Sequence, residues 1–190
     1  MDKNKKLEKE SSRKEKTGKE VETMFRVSLS NHQRLSDMAD NKAHIMITVN
    51  SIILSAVLTI LLRRLEDYTY LMLPAFLLVA TALSAIILSI LATRPTVSKG
   101  TFDLAALETG QVNLLFFGNF YKMPIKDYKD AMWFTMENKQ LVYDNLIMDG
   151  YAQGVVLGKK YKLLRLSYTI FMIGLLISVL AFSLAVLVRI

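Results

Sequence analysis

The chain has 190 residues, a net charge of +7 and 52% apolar residues, with no cysteine and two histidines. That composition excludes a disulfide scaffold, thiolate metal sites and cysteine nucleophiles, and it leaves little with which to build a histidine metal site. The charges are segregated. Eight Lys/Arg and five Asp/Glu crowd into the first twenty residues, whereas three later runs carry none; each run reaches the roughly 20 residues that a helix needs to cross a bilayer. An integral membrane protein is the expectation.

Residues 1–20 are rich in Lys, Glu and Ser with a single leucine. They cannot bury enough surface to fold alone and are expected to form a disordered charged tail. A polybasic lipid anchor is the sharper alternative, weakened by the interleaved Glu8, Glu10, Glu15 and Glu20. From residue 21 the pattern turns helical. Val21, Phe25, His32, Leu35 and Ala39 fall on one side at about 100° per residue. This predicts an amphipathic helix over 21–42, continuous with the first span. His32 lies on or beside its stripe, as a packed histidine or, more sharply, as a ligand or pH sensor.

The predicted spans are 43–62, 68–92 and 166–188, the second with Pro74 near its start. Each must be helical, because lipid satisfies no open backbone donor or acceptor. The first span begins some forty residues into the chain and is longer than the 7–15-residue core of a signal peptide, so it is expected to be retained. It carries a polar row, Asn41, His44, Thr48, Ser51, Ser55 and Thr59, at spacings of three and four, with Asn50 off that arc. Ordinary interhelical hydrogen bonding is the expected use of the row; a pore lining or an oligomer seam is the alternative. The second span offers Ala80, Thr81, Ser84, Ala85 and Ser89, and the third Gly174, Ser178, Ala181 and Ala185, small residues that let helices approach. No full charge lies inside a span, which argues against an ion-coupled pump.

Lys/Arg bias orients the spans. Eleven Lys/Arg precede the first span, and ten occupy 93–165 against seven acids. Both segments are expected in the cytoplasm. The turn near Arg64 and the C-terminus are then outside, with Arg63, Arg64 and Arg189 as minority charges against that orientation.

The segment 93–165 is expected to be a cytoplasmic helical module. Pro95 marks a helix stop, and the aromatic block 112–121 is either a short helix or extended. Residues 128–148 read as one helix with apolar residues on most faces, among them Met132, Trp133, Phe134 and Leu141. Such a helix wants partners on several sides, and a homo-oligomer would supply them. Gly154, Leu157, Tyr161, Leu164, Tyr168, Phe171, Leu175, Ser178, Phe182 and Ala185 form one seam that runs unbroken into the third span. It serves intrachain packing, transmission of a displacement, or both.

No enzyme motif is present, neither a phosphate-binding loop nor a zinc or nucleophile-elbow signature, and no catalytic residue, metal site or cofactor is expected. Asp127, Asp130, Glu137, Asp144 and Asp149 read as a solvated face. Lys159, Lys160, Lys162 and Arg165 are explained by the positive-inside rule, so no nucleic acid polymer is expected as a partner. Together with Asn113, Phe117, Phe120 and Tyr121 they are also the candidate lining of a nucleotide site, since aromatics stack bases and cations hold phosphate.

Three blocks carry a resemblance: Ala39-Asp40-Asn41-Lys42-Ala43, Asn113-Leu114-Leu115-Phe116-Phe117-Gly118-Asn119-Phe120, and the run from Asp149-Gly150-Tyr151-Ala152-Gln153-Gly154 through Lys159-Lys160-Tyr161 to Arg165. Together they resemble the Pycsar transmembrane effectors, bacterial anti-phage proteins of the inner membrane. The resemblance implies activation by cyclic CMP or cyclic UMP from a paired cyclase, followed by impairment of the membrane. Some relatives carry a fused phosphohydrolase domain; no such activity is expected of these 190 residues. A passive scaffold that recruits a soluble partner and a constitutive small ion channel are the competing expectations.

Overall fold

The computed structural model describes the backbone of residues 2–64, 69–108 and 111–189, and side chains within 18–60, 69–103, 105–107 and 111–188. The described chain is all α-helical, without a strand. In order come α1 (Asp2–Arg64), a 3-10 turn (Thr69–Leu71), α2 (Met72–Thr93), α3 (Leu104–Glu108), a second 3-10 turn (Phe117–Asn119), α4 (Ile125–Glu137) and α5 (Lys139–Arg189). Stretches of α1, α2 and α5 are long and apolar enough to cross a membrane. At 63 and 51 residues, α1 and α5 have more than twice the length that a crossing consumes.

α1 begins at Asp2, so the charged segment expected to lack structure continues the helix. Lys and Glu are strong helix formers, and propensity outweighs the missing apolar face there. The turn expected between the first two spans lies outside the described residues beyond Arg64. Pro74 falls in the first turn of α2, where the missing N–H has no intrahelical acceptor anyway. The helix expected over 128–148 is broken at Asn138. α4 ends at Glu137, Asn138 turns extended (φ −107°, ψ 103°), and its side-chain oxygen accepts from the Gln140 N–H at 3.0 Å, starting α5 as an N-cap does.

The chain divides into two compact units. The first comprises Met1–Arg34 and Thr96–Val156, the second Leu35–Pro95 and Leu157–Ile190. In the first, Leu107, Val112, Leu114 and Ala131 form a core joined by Phe102, Ala106 and Met132. His32 lies half-buried near Gly154, its Nδ1 without a hydrogen-bond partner.

In the second unit the helices meet through small residues. Ala39 and Ala43 pack on Leu164 and Tyr161. The Ser89 and Ser167 hydroxyls, both fully buried, are 2.9 Å apart, and Ser167 also donates to the Ala85 carbonyl at 2.9 Å. Gly174 abuts Thr81 so closely that a Cβ would collide with it. The seam expected on the last helix is largely the packed side of α5, except that Tyr168 is exposed and Ser167 takes its place.

The first span is turned the other way from the expectation. Asn41, His44, Thr48, Ser51, Ser55 and Thr59 are all exposed, and the packed face is Ala39, Ala43, Met46 and Asn50. Small side chains win the interface because they permit close backbone approach, which a row of hydroxyls does not require. The off-arc Asn50 is fully buried. Its amide donates to the Met46 carbonyl at 2.8 Å, while its side-chain oxygen has no partner.

Candidate functional site

The aromatic block is neither one helix nor an extended strand, but a sequence of turns around the 3-10 turn at Phe117–Asn119. Three asparagines impose this by taking over backbone partners. Asn113 accepts from the Leu115 N–H at 2.9 Å, an Asx turn, and its amide donates to Asp149 Oδ1 at 3.1 Å. Asn145 accepts from the Leu114 N–H at 2.7 Å and donates to the Leu141 carbonyl at 2.9 Å. Asn119 donates to the Asn113 carbonyl at 2.7 Å and accepts from the Ser98 hydroxyl at 3.1 Å. Gln153 donates to the second Asp149 oxygen at 2.7 Å. Leu141, Asn145, Asp149 and Gln153 recur every four residues, one face of α5, and the loop is fastened along it.

This lattice is buried: Asn113 is 8% exposed, Asn145 3% and Asp149 9%. Asp149 therefore departs from the solvated acidic row read from the sequence, and its carboxylate is met by two amide donors instead of a cation. Buried polar groups of this kind are satisfied by design of the fold, and each is costly to leave unpaired.

The outer side of the same loop is aromatic and open. Phe117 is 54% exposed and Tyr121 47%. The Phe117 ring lies 5.1 Å from Phe116 and 6.3 Å from Tyr121, tilted in both pairs. Lys122 Nζ sits 5.3 Å from the centre of the Tyr121 ring. Phe120 instead packs inward on Tyr128, with ring centres 4.3 Å apart. Gly100 makes room for this face. It holds φ +87°, its carbonyl accepts from the Lys122 N–H at 3.0 Å, and a Cβ there would come within 2.5 Å of the Tyr121 ring. An exposed aromatic pair beside an ammonium suits a planar base with a phosphate.

The basic cluster belongs to the second unit. Lys160 is committed, its ammonium donating to both Asp40 oxygens at 2.7 and 2.9 Å and to the Ser36 hydroxyl at 2.9 Å. Lys159, Lys162 and Arg165 are exposed. Of the candidate lining, Asn113, Phe117, Phe120 and Tyr121 come together in the first unit, with Asn113 buried as an anchor and Phe120 as packing. Sequence reading missed Lys122, Asn145 and Gln153. The signals were present in the lysine adjacent to Tyr121 and in the four-residue polar spacing at the start of α5.

A family model described as the Pycsar effector protein domain matches residues 23–187. Neither the curated proteins nor the solved structures give a match.

Proposed function

Because the chain belongs to the Pycsar effector family, we propose that this membrane protein senses cyclic CMP or cyclic UMP and responds by impairing the inner membrane. The observation that carries the proposal is the exposed Phe117–Tyr121–Lys122 face on a loop anchored to α5. The pyrimidine stacks on the exposed Phe117 ring with the tilted Tyr121 ring at its edge, and the Lys122 ammonium beside Tyr121 meets the cyclic phosphate. A ligand shifts a structure only by binding one arrangement better than another. Here the loop is tied through Asn113 and Leu114 to Asp149 and Asn145, which lie on the helix that also carries Ser167 and Gly174. The effect is gated by ligand and not catalytic. The Lys/Arg excess in 1–42 and 93–165 supports a cytoplasmic site and N-terminus, with the C-terminus outside.

Purified protein in dye-loaded vesicles tests this reading. Dye release is expected with cyclic CMP or cyclic UMP and not with cyclic AMP or without nucleotide. Release in every condition would establish a constitutive channel. Intact vesicles, together with no thermal shift on nucleotide addition, would leave the scaffold reading, which the exposed Trp133 and Phe134 of α4 support.

A further inference from the structure

The exposed surfaces of the apolar helices differ in kind. α5 turns Met172, Leu176 and Leu180 outward, side chains that hydrocarbon solvates well. The outward face of α1 carries Thr48, Ser51 and Ser55, none of which makes a side-chain hydrogen bond among the described residues. The three line a shallow groove of ≈ 590 Å³ walled by Ile47, Ile52 and Ala56. Other described serine and threonine hydroxyls of the spans are satisfied: Thr59, Thr81, Ser84 and Ser178 donate to their own helix, and Ser89 pairs with Ser167. Lipid tails offer these hydroxyls neither donor nor acceptor. Turned back on its own helix, as Thr59 is toward the Ser55 carbonyl, a hydroxyl places its proton but leaves its lone pairs unmet, and a second helix supplies the missing donors.

We propose that the groove is covered by the same groove of a second copy of this chain, α1 against α1. A hydroxyl both donates and accepts, so a row of them is complementary to itself under a twofold axis. The small Ser51, Ser55 and Ala56 allow the backbones to approach, and the flanking isoleucines fill the sides. A partner of different sequence would have to supply a matching row, whereas the second copy carries one already. This pairing depends on the spans lying in a bilayer and not on the nucleotide site.

The absence of cysteine makes the test direct. Ser51→Cys, Ser55→Cys and, as a control on the lipid-solvated face, Leu180→Cys are made singly in the full chain. Each is reconstituted in phosphatidylcholine/phosphatidylglycerol vesicles without nucleotide and oxidised. A disulfide-linked dimer at position 51 or 55, at least about tenfold stronger than at 180, is expected, the ratio that ~1.4 kcal/mol of pairing preference produces. Equal dimer at all three positions, or none at 51 and 55, overturns the proposal. Independently, the triple variant Thr48→Leu, Ser51→Leu, Ser55→Leu still suits lipid and is expected to lose energy transfer between labelled copies. Transfer undiminished in the triple variant also overturns it.

Discussion

Asp40 and Lys160, 120 positions apart in sequence, meet through two hydrogen bonds of 2.7 and 2.9 Å that tie α1 to α5, with Ser36 taking a third donor of the ammonium. The Lys160 side chain is 16% exposed and the Asp40 side chain 33%, so the pair is partly desolvated. Removing one member strands the other, and the larger cost falls where the more buried charge is left alone.

Asp40→Ala is therefore expected to destabilise the protein by about 1–3 kcal/mol. Lys160→Met, which keeps the apolar stem and leaves the more exposed partner, should cost less. The double variant should recover part of the Asp40→Ala loss. Thermal unfolding in detergent, with all three variants compared, gives the coupling.

The contact of Gly174 with Thr81 leaves no space for a methyl group. Gly174→Ala should cost about 1–3 kcal/mol by overpacking. Thr81→Ala in the same chain should restore part of it, because it removes the two nearest atoms, Oγ1 and Cγ2, while the Cβ stays close. Unfolding midpoints of the single and double variants decide this.

Ser167 bridges two helices and Ser178 does not: Ser167 meets Ser89 and the Ala85 carbonyl, whereas Ser178 returns to Gly174 of its own helix. Ser167→Ala should cost about 0.6–1.7 kcal/mol, the range for interhelical hydrogen bonds in a membrane. Ser178→Ala should lie at the bottom of that range or below it. A reversal in their order would show that hydrogen bonding is not what Ser167 contributes.

Asn145→Ala removes the acceptor for the buried Leu114 N–H. Exposing that amide is the cheapest relief from a penalty of about 1–3 kcal/mol, so the loop should open. Tryptic cleavage after Lys122 is the readout. Its rate should rise in Asn145→Ala and stay near wild type in Gln140→Ala, whose side chain is exposed.

Tyr121→Ala and Phe117→Ala should each weaken cyclic pyrimidine nucleotide binding by the loss of about 1–3 kcal/mol of stacking. Calorimetry should show this without a change in melting temperature of the unliganded protein, since both rings are exposed. Phe120→Ala, packed on Tyr128, should lower the melting temperature instead.

The spans could be read from sequence because absence of charge over 20 residues has one inexpensive explanation, a bilayer. The packed side of α5 was legible for a related reason, since residues from Leu157 to Ala185 repeat without interruption. The side of α1 was not. Two arcs competed there, one polar through Thr48 and Ser51 and one small through Ala39 and Ala43, and polarity is the weaker criterion when packing demands close approach. The break at Asn138 was hidden because apolar residues continue on both sides of it. The partners Asp40 for Lys160 and Asp149 for Asn113 are joined by tertiary pairing over long separations, on which local periodicity is silent. Gly118 was visible as a glycine, but that a Cβ there would meet the Phe116 ring and Ser98 depends on the folded loop.

The tight approach at Gly174 fixes the axial register of α5 against α2. One helical turn is about 5.4 Å. A slide by that distance would bring Phe171 or Ile170 to Thr81 in one sense and Ser178 in the other, and each carries the Cβ for which Thr81 leaves no space. The single glycine thus acts as a keyway, seating α5 at one position along α2.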